Sequence, residues 1–158
     1  AGLLQGARPV RILGRSLGGI IALEIAARLE ARGRRNVQLY LLDSFYRQAV
    51  AELPLEQLLP ALGIEGEAAT RAMAAGQAER RLSEGRLSRR LQTTKVTLFK
   101  ATEGNPQLPE AVTAPLLAVE DNGLGAACER LRVIPLACHH HNILRCEAEI
   151  GQALNDDV

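Results

Sequence analysis

The stretch ILGRSLGGIIALEIAARLEARG, residues 12–33, joins a short β-branched run to a long apolar helical pattern. Within it Ser16 lies between Gly14 and Gly18 in the pattern G-x-S-x-G. On a strand-turn-helix, a serine at this place stands on a sharp turn with its hydroxyl exposed. A serine near a helix start also has a structural explanation, because its oxygen accepts hydrogen bonds from free backbone N–H groups. The rest of the chain has to decide between the two interpretations.

The composition predicts one globular domain that binds neither nucleic acid nor a membrane. The chain has 158 residues, is 47% hydrophobic and carries a net charge of +1, whereas nucleic-acid-binding domains are usually basic. The longest apolar run is interrupted by Glu24 and falls short of the roughly 18 uncharged residues that a membrane span needs. Three cysteines without C-x-x-C spacing favour a reducing compartment, so we expect a cytoplasmic protein.

The first half of the chain predicts a βαβ unit. Residues 9–13 form a buried strand, residues 17–32 a helix that Gly33 stops, and residues 37–42 a second apolar strand. Short connections between these elements favour a parallel sheet covered on both faces. Helical spacing predicts an inward face made of Leu17, Ile20, Ile21, Ile25 and Leu29.

The remaining pattern predicts further helices and strands. Pro and Gly interrupt residues 48–91, which we interpret as several short helices. In chain order we then expect a strand over 95–101, a loop over 103–115 and a short strand or turn over 116–119. A further strand follows over 130–137, and Pro135 places it near an edge or an end of the sheet. We expect a last helix that Asn142 caps, with Ile143, Ile150 and Leu154 facing inward.

Three reactive side chains follow predicted strands. Ser16 follows the first, Asp43 the second and His140, with His139 and His141, the last. The carboxyl ends of parallel strands are where open α/β sheets place their sites. The order Ser, Asp, His is that of α/β-hydrolases, in which an imidazole activates the serine and a carboxylate orients the imidazole. Leu17 begins the helix, so we expect its free backbone N–H to donate a hydrogen bond to an oxyanion. We also expect that a side chain in place of Gly14 or Gly18 would crowd the turn.

Alternatives exist for two of these residues. Glu103 follows the next strand and is a second candidate for the acid. Any of the three adjacent histidines could be the base, and together with Cys138 they could suggest a metal site. Consecutive side chains point in different directions and seldom converge on one ion, so we expect no metal. We also expect no directly bound cofactor.

The motifs resemble the thioesterase domains that end nonribosomal peptide synthetases and polyketide synthases. The helix after Ser16 resembles the family pattern GG-x-x-A-x-E-x-A-x-x-L, through Gly18, Gly19, Ala22, Glu24, Ala26 and Leu29. Leu41-Leu42-Asp43-Ser44 resembles its acid motif, VTLFKATE resembles its strand after the lid, and Ile143-Leu144 sets the register that selects His140.

The resemblance implies a serine thioesterase with the α/β-hydrolase fold, a mostly parallel sheet flanked by helices with a helical lid insertion. Core residues 1–47 and 95–158 would flank a lid of about 48–94 within a single domain over 1–158. Its Ser16-Asp43-His140 triad would take an acyl or peptidyl chain from the phosphopantetheine of a carrier domain, then release it by hydrolysis or cyclisation. Alternatives are a stand-alone serine esterase or proofreading thioesterase of the same fold, and a catalytically dead interaction module.

The chain also departs from the family pattern. Arg15 stands where an aromatic residue or His is usual, and Cys138-His139 replaces a usual glycine and polar residue. The family has several strands before the serine, one of whose loops supplies a second oxyanion donor, so we expect the domain to be partial at its N-terminus. A basic stretch ends the lid and is interpreted as a solvated face, with a docking patch for an acidic carrier domain as the alternative; it contains Arg80, Arg81, Arg86, Arg89, Arg90 and Lys95.

Overall fold

Four parallel strands form the centre of the fold in a computed structural model, which describes residues 9–46, 59–60, 63–83 and 87–156. The strands are β1 (Val10–Arg15), β2 (Val37–Leu42), β3 (Lys95–Ala101) and β4 (Leu131–Leu136). They lie in the sheet in chain order, and each pairs in parallel with the next. This arrangement confirms the predicted parallel sheet, and Pro135 lies on β4 at one end of the described sheet.

Helices cover both faces of the sheet. Helix α1 (Leu17–Ala31) follows β1, α2 (Gly66–Ser83) lies between β2 and β3, α3 (Glu110–Leu117) lies between β3 and β4, and α4 (Glu147–Asp156) ends the described chain. None of the helices in these ranges is long and apolar enough to cross a membrane.

Alternation along the strands divides the core into two clusters. Leu39, Leu41 and Leu98 pack with α1 on one face, whereas Tyr40, Leu42 and Phe99 pack with α4 on the other. All six residues of β2 are buried, as expected for a strand that is covered on both sides. The predicted inward residues Ile143 and Ile150 are buried in the second cluster, and Leu154 packs against it.

The end of α1 matches its prediction, and Ile20 and Leu29 are buried as predicted, but the rest of the predicted inward face differs. Gly33 has φ 81°, and its N–H and that of Arg34 donate to the carbonyls of Glu30 and Leu29, which closes the helix. Ile21 and Ile25, predicted to face inward, are 53% and 45% exposed. Small alanines permit a close approach to the sheet instead, so the buried face consists of Gly19, Ile20, Ala22, Leu23, Ala26, Ala27 and Leu29.

Three predicted elements differ from the structure. The loop over 103–115 and the strand or turn over 116–119 contain α3 instead, in which Pro115 removes only one backbone donor from a short exposed helix. The part of the predicted lid that is described holds one helix of 18 residues, α2, and not only short ones; residues 47–58, 61–62 and 84–86 lie outside the described chain.

Asn142 does not cap the last α-helix. It precedes a single 3₁₀ turn, Ile143–Arg145, and α4 begins only at Glu147. Its side-chain oxygen accepts a hydrogen bond from the backbone N–H of His139 at 2.8 Å. The side chain therefore closes part of the loop over residues 137–146 that joins β4 to α4, which we call the histidine loop.

Candidate active site

Ser16 stands on a strained turn between β1 and α1. Its backbone has φ 51° and ψ −126°, a conformation that residues with a side chain seldom adopt. The Ser16 N–H donates to the carbonyl of Leu42 at 3.1 Å, which ties the turn to the end of β2. The sharp strand-to-helix turn predicted from G-x-S-x-G is therefore present.

The close approach at this turn involves Gly14 and Gly19. A Cβ on Gly14 would lie 2.6 Å from the Gly18 oxygen, and one on Gly19 would lie 2.0 Å from the Ser44 Oγ. A Cβ on Gly18 would meet nothing within 4 Å, so the predicted crowding at Gly18 is wrong. Gly18 is exposed near the start of α1, whereas Gly19 faces β2 and is buried.

Asp43 lies directly after β2 and is buried, with 3% of its surface exposed. Its backbone has φ 41°, and its N–H donates to the carbonyl of Phe99 at 2.8 Å. One carboxylate oxygen, Oδ1, accepts the Ala101 N–H at 3.2 Å and the Asn122 side-chain amide at 3.0 Å. These contacts fix the carboxylate and leave Oδ2 for a third partner.

His140 connects Asp43 with Ser16. Its Nδ1 lies 2.8 Å from the Asp43 Oδ2, and its Nε2 lies 3.2 Å from the Ser16 Oγ. In the tautomer that satisfies both contacts, Nδ1–H donates to the carboxylate and Nε2 accepts from the serine hydroxyl. The structure thus brings the three predicted residues into one chain of hydrogen bonds.

The backbone of the histidine loop is held from β1. Arg15, the residue before Ser16, donates from its guanidinium to the carbonyl of His140 at 3.1 Å. The Phe45 ring lies 6.5 Å from the imidazole, centroid to centroid. The unusual residue at position 15 therefore connects the serine turn with the histidine loop.

The alternative candidates do not join this chain. Glu103 is exposed, and its backbone N–H donates to the carbonyl of Cys138 at 3.0 Å. His141 shares a contact of 3.1 Å with the Asn105 amide. Burial, helped by the neighbouring His140, His139 and Arg15, lowers the pKa of the His141 imidazole.

The two buried thiols of the described chain, Cys138 and Cys128, are poor nucleophiles. Burial, together with the Cys146 thiol beside it, raises the pKa of Cys138 to about 12. Burial likewise raises the pKa of Cys128 to about 11. Because the thiolate is the reactive form of cysteine, these groups stay protonated near neutral pH.

Two residues at the site were missed in the sequence. Asn122 and Lys100 are buried behind Asp43, and the Lys100 Nζ donates to the Asn122 Oδ1 at 2.8 Å. A lysine near the end of a strand that is buried from its second residue onward was the available signal, since a buried charge requires a polar partner. Asn122 precedes Gly123 and is typical of a turn, which conceals its contact with the carboxylate.

Leu17 begins α1, as predicted. Its N–H therefore has no acceptor in a preceding turn of that helix. It is the residue directly after Ser16, the position from which such turns offer a donor to an oxyanion.

Comparison with known proteins gives the family. The family model described as "Thioesterase domain" matches residues 3–113. The chain belongs to the thioesterase domain family. A comparison with curated protein sequences gives no significant match.

Solved structures similar to this thioesterase domain show its fold. The NocB thioesterase domain in covalent complex with a fluorophosphonate nocardicin G analogue has a TM-score of 0.58 and 23% identity over 86% of this chain and 58% of its own. The SrfTE thioesterase domain, which cyclises the lipopeptide antibiotic surfactin, has a TM-score of 0.54 and 20% identity over 89% and 63%. The type II thioesterase BorB from the borrelidin biosynthetic cluster has a TM-score of 0.58 and 16% identity over 97% and 64%.

These similarities confirm the α/β-hydrolase fold predicted for the domain. The thioesterase domain described here spans about three fifths of the length of these solved chains, between 58% and 64%.

Proposed function

We propose that this domain is a serine thioesterase that releases an acyl or peptidyl chain from the phosphopantetheine arm of a carrier domain. The observation that carries the proposal is the chain of hydrogen bonds Ser16–His140–Asp43 at the carboxyl edge of the sheet. The family match and the likeness to domains such as SrfTE support this substrate class.

The first half-reaction forms an acyl-enzyme. His140 Nε2 takes the hydroxyl proton as Ser16 Oγ attacks the thioester carbonyl, and the Leu17 N–H donates to the oxyanion. The tetrahedral intermediate then expels the pantetheine sulfur, which receives the proton from His140. Asp43 orients the imidazole and stabilises the imidazolium that forms at each transfer.

The second half-reaction frees the product. His140 removes a proton from water, or from a hydroxyl or amine within the acyl chain, and that oxygen or nitrogen attacks the ester carbonyl. Ser16 leaves with the proton returned by His140. Attack by water gives a free acid, whereas attack by an internal nucleophile gives a ring. We propose that this release takes place in the biosynthesis of an antibiotic-like product.

A stand-alone thioesterase that clears carrier domains is the second candidate, favoured by the likeness to the type II thioesterase BorB over 97% of the chain. A carrier domain encoded directly upstream would favour the first candidate. Release of short acyl groups from carriers on separate chains, with long chains left bound, would favour the second.

Labelling of the full-length protein with a fluorophosphonate tests the proposal. We expect one phosphonylated residue, Ser16, and release of acyl groups from a loaded carrier. The Ser16→Ala variant should lose both, with turnover reduced on the order of 10⁶-fold, whereas Ser88→Ala, at an exposed serine, should retain both. An unlabelled, inactive and folded wild-type protein would instead support an interaction module without catalysis.

A further inference from the structure

Lys100 is a buried charge that the acyl-transfer steps do not use. It is the second-last residue of β3 and only 6% exposed. Burial lowers the pKa of its ammonium, while the negative charges of Asp43 and Asp121 raise it. A charge in this position requires a compensating feature, because desolvating an ammonium group is costly.

Asn122 is the side chain that connects this charge to Asp43. It is fully buried with φ 51°, and its carbonyl accepts the Tyr46 N–H at 2.8 Å. Its Oδ1 accepts from the Lys100 ammonium at 2.8 Å, and its Nδ2 donates to the Asp43 Oδ1 at 3.0 Å and to the Ser44 carbonyl at 3.3 Å.

The lysine fixes which way the amide faces. An ammonium group only donates and an ionised carboxylate only accepts, so the amide oxygen must face Lys100 and the amide nitrogen must face Asp43. The reversed amide would place two donors together on one side and two acceptors on the other. Charge on both sides therefore holds Asn122 in one orientation.

We propose that Lys100 and Asn122 are positioning residues that hold the Asp43 carboxylate in line with His140 and balance its charge. This inference rests on the proposed function, in which His140 accepts a proton during each transfer. Asn122 fixes Oδ1, so that Oδ2 remains directed at the imidazole, and Lys100 fixes Asn122.

The charges of Asp43 and Lys100 act on the imidazole in opposite directions. Asp43 favours the protonated imidazole, and the positive charge of Lys100 behind it offsets part of that effect. The other charged or titratable groups around these residues are Asp121 on the Lys100 side, and Arg15, His139 and His141 on the imidazole side. Removing the lysine charge alone should therefore strengthen the attraction between the Asp43 carboxylate and the positive charge that forms on the imidazole during proton transfer.

The pH dependence of turnover in the full-length protein tests this direction. For Lys100→Met we expect the midpoint of the acidic limb of the kcat/KM profile to move to higher pH by about half to one unit. Lys95→Met, on the exposed first residue of the same strand, should leave the limb in place. Lys100→Arg should restore most of the wild-type position, because it retains the charge.

The Asn122→Ala variant distinguishes the positioning role from a purely structural one. Asn122→Ala should lower kcat by on the order of 10–10²-fold with KM unchanged, since the imidazole loses alignment while no substrate contact is removed. If Lys100→Met and Asn122→Ala fold, lose thermal stability and leave both kcat and the acidic limb unchanged, the positioning role is wrong.

A spectroscopic measurement separates failure of this inference from failure of the proposed function. The proton between His140 Nδ1 and Asp43 should give a far-downfield NMR resonance, which needs no turnover. We expect it to shift or broaden in both Lys100→Met and Asn122→Ala and to stay in place in Lys95→Met. A wild-type protein that fluorophosphonate does not label refutes the proposed function, whereas an unmoved resonance refutes the role of the pair.

Discussion

At the scale of single residues, the site depends on side chains that are absent as much as on those present. Gly14 and Gly19 lie against backbone or side-chain atoms at distances that no Cβ tolerates. Gly18 belongs to the same sequence motif but faces open space. Motif membership and steric need therefore separate at neighbouring positions, and substitution can distinguish them.

Substitution of the two adjacent glycines should have opposite effects on stability. Gly19→Ala should destabilise the fold by about 1–3 kcal/mol, because its Cβ would overlap the Ser44 side chain. Gly18→Ala should stabilise it by about 0.5–1 kcal/mol, because alanine favours the helix and nothing opposes its methyl group. Urea unfolding measures both, and equal effects at the two sites would contradict the packing described.

The assignment of the acid is a second prediction at this scale. Asp43→Asn should lower kcat by about 10⁴-fold, because the amide no longer fixes the tautomer of His140 while the base remains. Glu103→Gln should change kcat little, since that side chain is exposed. Steady-state release from a loaded carrier measures both variants, and the reverse ranking would move the acid to Glu103.

At the scale of elements, the carboxylate of Glu30 joins the end of α1 to the segment before β3. It accepts hydrogen bonds from the backbone N–H groups of Gln92, Thr93 and Thr94. Partial burial raises the pKa of Glu30, but these hydrogen bonds outweigh it and lower the pKa to about 2 from 4.5. The junction therefore depends on the ionised carboxylate.

Acid should weaken this junction in a defined window. Because the folded pKa is the lower one, the stabilisation is complete above about pH 4.5 and is lost as the pH falls towards 2. Glu30→Gln should cost about 1–2 kcal/mol at pH 7, a value reduced for the water that still reaches the carboxylate. Its deficit in urea unfolding should shrink as acid protonates the wild type, whereas the exposed Glu120→Gln should show none at any pH.

Helix α2 should open more readily than the strands. Its described side chains are all exposed or half-buried, whereas every residue of β2 is buried. Few buried contacts mean a low free energy of local opening. We expect fast amide hydrogen exchange along Gly66–Ser83 and slow exchange in β1 and β2; equal protection would argue against a mobile lid.

The strands and helices also show which features could be predicted from the sequence. β2 and β3 have the predicted bounds because short, mostly apolar runs are typical of strands that are covered on both faces. α3 was missed because Pro109 and Pro115 lie at its cap and inside it, where a short exposed helix tolerates them. Strand ends were enough to place Ser16, Asp43 and the run of three histidines, and the family resemblance selected His140 among them. Asn122 could not be placed, since a long-range contact of a turn residue leaves no periodic pattern in the sequence.

At the scale of the whole molecule, one side of the domain is incompletely covered. Within the described residues β1 pairs only with β2, and Leu13 on β1 is 52% exposed. Ile21 and Ile25 on α1 add a second exposed apolar area. An open strand edge beside apolar side chains favours association with further polypeptide.

The 158-residue chain on its own should therefore self-associate. We expect light scattering to rise with protein concentration and to fall in the double variant Ile21→Gln/Ile25→Gln. Leu144→Gln is the control, because Leu144 is 58% exposed but lies on the histidine loop. A monomer at all concentrations, or an equal effect of the control, would contradict this expectation.

The strained backbone of Ser16 lowers the thermal stability of the domain but belongs to the residue proposed as the nucleophile. A residue with a side chain held at φ 51° costs the fold about 1–3 kcal/mol, which glycine would largely avoid. Laboratory evolution that rewards survival at high temperature alone should therefore enrich Ser16→Gly, the replacement that removes the proposed nucleophile. A screen for thermostable variants of this domain therefore has to measure product release in every round, because the most stable variants selected without it will be inactive.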